Sequence, residues 1–329
     1  MSMLIPLCKQ IYTRPPCPTA DFTGQTIIVT GANAGLGKEA CKHFAHLNAT
    51  RIIATVRTLA RGKDALAEIE AATGRTGVVE LWELDYGKHD SLLAFGERAR
   101  RELTRLDKVV LNAGIATETW GLLERHESSI SVNVISTALL SLLLLPVLRA
   151  SKERNGGDPY LEIVCSSVHS FARFKERKGK SIFATLDDER SSDMSDRYQT
   201  SKLIQLFATR EIAKRTAHSS PPVTINNVDP GFCYTDLLRN AEGSNKVMIN
   251  VMRALFAWTA EEGSRTLVHG TVAGKESHGV FMSVCAVDSK TLSPFVTSPE
   301  GVETQERIWA ELKDILEEIQ PGVTAVLEQ

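Results

Sequence analysis

The chain has 329 residues, 43% hydrophobic and 24% charged, a balance that suits a globular protein with a sizeable core. Its net charge of −2 removes the electrostatic grounds for binding nucleic acid or an anionic membrane. The cysteines stand at 8, 17, 41, 165, 233 and 285 with no C-x-x-C pair, so a zinc site has no support and no metal is expected; a reducing, cytoplasmic setting without disulfides fits them.

Residues 1–22 hold four prolines and little periodicity, and they read as an arm, ordered only where it packs on the domain. They contain no apolar run long enough for a signal peptide or an anchor. Short apolar strands are then predicted at 26–30, 51–56, 78–84, 108–111, 161–165 and 223–228. Helices are predicted between them at 38–47, 58–73, 91–106, 118–150 and 201–216. The longest apolar stretch, 132–148, contains Asn133, Ser136, Thr137 and Ser141 and ends near a proline. It reads as a buried central helix, because a membrane span needs about 20 apolar residues.

Alternating strands and helices, with strands apolar on both faces, predict an α/β fold: a doubly wound, Rossmann-type parallel sheet of about seven strands with helices on both faces. No repeat or linker divides it, so 23–329 is expected to be one catalytic domain ending in a helical C-terminus. Two stretches break the rhythm. Residues 168–197 are charge-rich and read as a solvated loop with a hairpin, or as a rim of the substrate entrance. Residues 232–258 place Val247, Met248, Val251, Met252, Leu255, Phe256 and Trp258 on one helical face, which reads as core or as an apolar lid beyond a strand end.

The first strand runs directly into Thr30-Gly31-Ala32-Asn33-Ala34-Gly35-Leu36-Gly37 and then a helix. Glycines allow a tight turn and close backbone approach of a pyrophosphate, and the helix N-terminus faces its charge. The spacing differs from the G-x-G-x-x-G fingerprint, but its strand–turn–helix setting points to a dinucleotide. The second strand ends without the carboxylate that would bind ribose hydroxyls, and Arg57 follows it. A guanidinium there suits a 2′-phosphate, so the expected cofactor is NADP(H); the alternative is a plain surface arginine. Tyr198 and Lys202 stand four apart and share a face if helical. A cation beside the phenol would bring its pKa, normally ~10, toward the working range.

These pieces together resemble the short-chain dehydrogenase/reductase family in its single-domain Ser–Tyr–Lys branch. The motifs are TGANAGLG at 30–37, Asp85, LNAG at 111–114, VNV at 132–134, CSS at 165–167, YQTSK at 198–202 and DPGFCYT at 229–235, in family order over residues 23–285. The resemblance implies that Ser167, the second serine of its pair, polarises the substrate oxygen and that Tyr198 exchanges the proton. It implies that Lys202 holds the nicotinamide ribose and that Asn133 holds a water in the proton relay. Asp85 would meet the adenine, Asn112 and Gly114 would line the cleft, and Pro230, Gly231 and Thr235 would flank the nicotinamide and phosphates.

Ser167 and Tyr198 stand further apart than in many members, which is similar to the retinol-dehydrogenase-like and fungal secondary-metabolism branches. The resemblance therefore implies an NADP(H)-dependent ketoreductase without stable membrane insertion, acting on a bulky apolar carbonyl or alcohol such as a polyketide or terpenoid intermediate. It also implies a homodimer through the long central helices unless the extended loops block it. Two other readings share the motifs: a non-redox catalyst of dehydration, epimerisation or cyclisation, and a cofactor-sensing binding protein. His43, His126 and His218 read as surface or helix residues; His169, two residues past Ser167, lies near the pocket mouth, where a structural role is the plainer expectation.

Overall fold

The computed structural model describes residues 10, 12–235, 255–287 and 291–328. Eight strands form one sheet: β1 (Thr26–Val29), β2 (Arg51–Val56), β3 (Val79–Glu83), β4 (Lys108–Leu111), β7 (Tyr160–Val164), β8 (Thr224–Asp229), β9 (Phe281–Ser283) and β10 (Ala286–Val287). A separate two-stranded hairpin is made of β5 (Leu122–Leu123) and β6 (His126–Glu127). The sheet order is 10-9-8-7-4-1-2-3. All pairings are parallel except that of β9 with β10. The order reverses between β1 and β4, which opens a crevice at their carboxyl ends.

Period-two alternation sends Ile28, Ile53, Val109, Leu161 and Ile225 to one face and Ile27, Val29, Ile52, Val110, Val164 and Val228 to the other. Helices cover both. Against the second face lie α1 (Gly35–His46), α2 (Leu59–Thr73) and α7 (Ala260–Gly270). Against the first lie α3 (His89–Glu102), α4 (Ser128–Asn155) and α6 (Met194–Thr216). By length and composition α4 could cross a membrane, but 89% of its most apolar window is buried here as the core helix.

Three expectations are corrected. Residues 118–127 are not helical: Glu124 and Arg125 take φ of 50° and 73° and turn the β5–β6 hairpin, and the Glu127 carboxylate then caps α4 by accepting the Ser129 and Ile130 N–H groups. The sheet gains the short β9 and β10 at one edge. The helix carrying Tyr198 starts at Met194, not at 201.

The stretch before it is packed and not a solvated loop, with Phe174, Glu176, Ile182, Phe183 and Leu186 buried around the short α5 (Ile182–Leu186). Beyond α8 (Pro294–Thr297), α9 (Pro299–Ile319) clamps this stretch. Its Glu311 accepts the Ile182 and Phe183 N–H groups at 2.8 and 2.9 Å, and its Arg307 donates to the Arg177 and Gly179 carbonyls at 2.7 Å each. α9 also packs on α6, and the terminal turn Val323–Glu328 packs on α4 and α6. The described part of the arm is docked: Phe22 is buried edge-on against Phe44, and Gln10 is buried near α7. Of the apolar face expected over 232–258, Val247, Met248, Val251 and Met252 lie outside the described residues, Trp258 is buried and Leu255 is exposed.

Candidate active site

The glycine turn is built by side chains from the neighbouring strands. Thr30, at the end of β1, accepts hydrogen bonds on its hydroxyl from Tyr86 and from the Asn112 and Ala113 N–H groups, at 3.1, 2.9 and 3.0 Å. The Asn112 amide donates to the Thr30 carbonyl at 2.9 Å. Gly31 turns through φ +66°, and Gly37 lets α1 close on the turn: a Cβ there would lie 2.5 Å from the Gly31 carbonyl oxygen and 2.7 Å from Asn112 Nδ2. Gly35 begins α1, Asn33 is exposed on the turn and Leu36 reaches back to Gly263 of α7. The result is a narrow, side-chain-free approach to a helix N-terminus, a cradle that fits a pyrophosphate.

At the rim, Arg57 is exposed just past β2 and has no hydrogen bond or ion pair among the described residues. Asp85 lies after β3 with its carboxylate accepting the Gly87 N–H at 3.0 Å. Gly114 keeps the cleft open, since a Cβ there would sit 3.0 Å from Asn133 Oδ1.

Asn133 is completely buried in a π-helical turn, Ser131–Ser136, within α4. Such turns concentrate at functional sites because they reset the helix phase. Its amide is fully used: Oδ1 accepts the Ile115 N–H at 2.9 Å, and Nδ2 donates to the Ile115 carbonyl at 2.9 Å and to Ser201 Oγ at 3.0 Å. It therefore ties the exit of β4 to α4 and α6.

Tyr198 and Lys202 rise one turn apart on α6. The Ser166 side chain approaches the Tyr198 phenol. Ser167 is held by its backbone, its N–H donating to Asp229 Oδ1 at 3.1 Å. Both serines of the pair therefore stand at the carboxyl end of β7, Ser166 beside the tyrosine and Ser167 anchored to Asp229. Burial pushes the Tyr198 phenol above its ordinary pKa, with the Ser166 bond opposing. Lys202 Nζ donates instead to the Val164 carbonyl at 2.9 Å and to Gln205 Oε1 at 3.0 Å, and burial lowers its pKa. The expected depression of the phenol by the lysine is therefore absent from this arrangement, because the ammonium is aimed at the end of β7.

Three residues that sequence reasoning left out hold the site. Asp229, buried at the end of β8, accepts the Ser167 and Gly231 N–H groups on Oδ1 at 3.1 and 3.3 Å and the Ser283 hydroxyl on Oδ2 at 3.1 Å, joining the serine turn to the Pro230–Gly231 turn. Its signal was present as the strand-ending acid before Pro-Gly. Gln10 donates to the Phe232 and Phe256 carbonyls at 2.6 and 3.0 Å and accepts the Phe232 N–H at 2.9 Å, while its own carbonyl accepts the Trp258 indole N–H at 3.1 Å. Gly231 turns through φ +76° beneath Trp258, and Thr235 comes within van der Waals range of where a Gly35 Cβ would be, across from the glycine turn. Arg197, wholly buried, lies 3.5 Å from Glu127 and 3.4 Å from Glu176 and fixes the residue before Tyr198.

Comparison with known proteins shows the family and the fold. The short chain dehydrogenase family model matches residues 25–177. The chain is 39% identical over 332 residues to the short-chain dehydrogenase anuD of Penicillium roqueforti, covering 99% of this chain and 86% of that one. It is 40% identical to the short chain dehydrogenase/reductase dmxR8 of a Cryptosporiopsis species, covering 97% of this chain and 98% of that one. Among solved structures, salutaridine reductase from Papaver somniferum superposes with a TM-score of 0.59 at 19% identity, over 78% of this chain and 99% of that one, which shows the shared fold. The chain belongs to the short-chain dehydrogenase/reductase family, oxidoreductases that exchange a hydride between a nicotinamide cofactor and a carbonyl or alcohol carbon.

Proposed function

We propose that the protein is a cytoplasmic NADP(H)-dependent reductase that converts a ketone or aldehyde of a bulky apolar substrate, of polyketide or terpenoid type, to an alcohol in fungal secondary metabolism. The observation that carries the reading is the approach of the Ser166 side chain to Tyr198 at the carboxyl end of β7, one helical turn from the buried Lys202. The Gly31–Gly37 turn would hold the pyrophosphate, Asp85 the adenine end and the Pro230–Thr235 turn the nicotinamide end. Arg57, with no protein partner among the described residues, supports a 2′-phosphate. Bound there, the reduced nicotinamide supplies the hydride. The residues do the rest. Ser166 donates a hydrogen bond to the carbonyl oxygen and polarises it, and the Tyr198 phenol delivers the proton that the same oxygen takes up as carbon accepts the hydride. Lys202 would hold the ribose. Exposed Tyr234 and Leu255, 65% and 63% accessible beyond the end of β8, support an apolar substrate.

The test is titration with NADPH and NADH, then turnover of bulky ketones by wild type, Tyr198→Phe, Ser166→Ala, Ser167→Ala and Arg57→Ala. Tyr198→Phe should lose about 10²–10⁴-fold in kcat. Ser166→Ala should lose far more than Ser167→Ala, and Arg57→Ala should erode the preference for NADPH. Product formed without NADPH consumption would replace the redox reading with a non-redox one, and absence of cofactor binding would refute both.

A further inference from the structure

His169 follows the serine turn and is buried to 1% exposure, edge-on to Phe281 with ring centroids 4.8 Å apart. Both ring nitrogens are engaged by backbone. Nδ1 lies 2.8 Å from the Ser166 carbonyl oxygen, and Nε2 lies 3.1 Å from the Ser293 nitrogen. A carbonyl can only accept and an amide N–H can only donate, so these partners leave one arrangement: Nδ1 carries the proton and Nε2 is bare. Burial, which lowers the pKa of the ring against the opposing field of Asp229 on β8, favours the same neutral form.

The Ser166 carbonyl thus accepts the imidazole N–H together with the His169 backbone N–H at 3.2 Å, while its hydroxyl caps the Val168 N–H at 3.4 Å and its side chain approaches Tyr198. The ring grips the serine from behind and is itself seated by Ser293, the residue that leads into α8 and stands 124 positions further along the chain.

We propose that His169 is a positioning residue for the Ser166–Tyr198 pair, acting as the Nδ1–H tautomer, and that through it the Ser293 turn of the C-terminal segment sets the orientation of the serine hydroxyl. This rests on the reductase reading above.

The test compares wild type with His169→Phe, which keeps the ring volume and loses both hydrogen bonds, and His169→Asn, whose Nδ2 stands where Nδ1 stood. Each is measured at matched folded fraction. His169→Phe is expected to lower kcat about 10- to 100-fold, the scale of a misplaced catalytic group, with the Kd for NADPH within twofold. His169→Asn is expected to stay within about fivefold of wild-type kcat, the cost of one neutral hydrogen bond. Nitrogen-15 spectra of the cofactor-free protein, with the His169 signals assigned by their loss in His169→Phe, should show a protonated Nδ1. A protonated Nε2, equal kcat in all three proteins, or equal losses in the two variants would overturn the proposal. A wild type that binds NADPH but turns over no carbonyl would remove the reductase reading and this one with it, whereas an active wild type matched by His169→Phe removes this one alone.

Discussion

Replacing Glu162 with Met should stabilise the protein, and by more as the pH rises. Glu162 sits in the middle of β7, completely buried, and neither carboxyl oxygen has a hydrogen-bond partner among the described residues. It occupies space left by Gly270 of α7, where any Cβ would collide with Oε2. Burial raises its pKa well above the ordinary glutamate value. Between the unfolded and folded pKa values the native state binds one more proton than the unfolded chain. The native carboxyl is therefore tolerated fully below the unfolded value, and stability is lost as the pH climbs toward the folded one, by about 1.4 kcal/mol per pH unit. At an unfolding entropy of about 2.1 cal/mol/K per residue, that is roughly 2 °C of Tm per pH unit for a chain of this length. Methionine fills a similar volume and has nothing to ionise. In melting curves of both proteins taken from pH 5 upward, the gap in Tm should widen by about 2 °C per pH unit until the folded-state pKa is reached. A gap that stays constant would refute the reasoning, because the carboxyl would then titrate alike in the folded and unfolded states.

Two further substitutions probe the site's supports. Gly37→Ala drives a methyl group into the Gly31 carbonyl and the Asn112 amide, both fixed by Thr30, so α1 must retreat. Calorimetric titration should show NADPH binding weakened by about tenfold or more, the worth of a lost hydrogen bond to a charged group; a Kd within twofold would show that the turn can absorb a Cβ. Arg197→Met strands the buried Glu127 and Glu176 carboxylates. The expected loss is about 3–5 kcal/mol, or roughly 4–7 °C in Tm, and an unchanged melting curve would refute the buried pairing.

The central strands were legible because a strand buried on both faces has to be apolar throughout: TIIV, RIIATV and KVVL admit few other readings between turns. The glycine trio was legible for the same kind of reason, since only its close contacts require glycine. The serine assignment was not. Ser166 and Ser167 are neighbours at the start of a 3₁₀ turn, and their orientation depends on the grip of Asp229, 62 positions from Ser167, and of His169, itself seated by Ser293 124 positions further on. The stretch 168–197 misled because charge usually marks solvent, whereas here Glu176, Asp196 and Arg197 are buried and spend their charge on one another and on backbone amides. The hairpin at 122–127 runs straight into the long apolar helix with no Gly or Pro within it, and the positive φ at Glu124 and Arg125 turns it.

The Gln10 clasp has a consequence for the order in which the protein is made. It joins positions 246 residues apart, and its indole partner Trp258 comes later still. A ribosome working at about 5–20 residues per second needs roughly 12–50 s to travel from one to the other. For much of that time β1, the glycine turn and α1 have already been made, with neither α7 nor the Pro230–Thr235 turn to cover them. Closing so wide a loop is slow by its topology. The nucleotide cradle, assembled from the first strand of the sheet, is therefore sealed only in the last stage of synthesis, and a nascent chain stalled before Trp258 would present its apolar rim to chaperones.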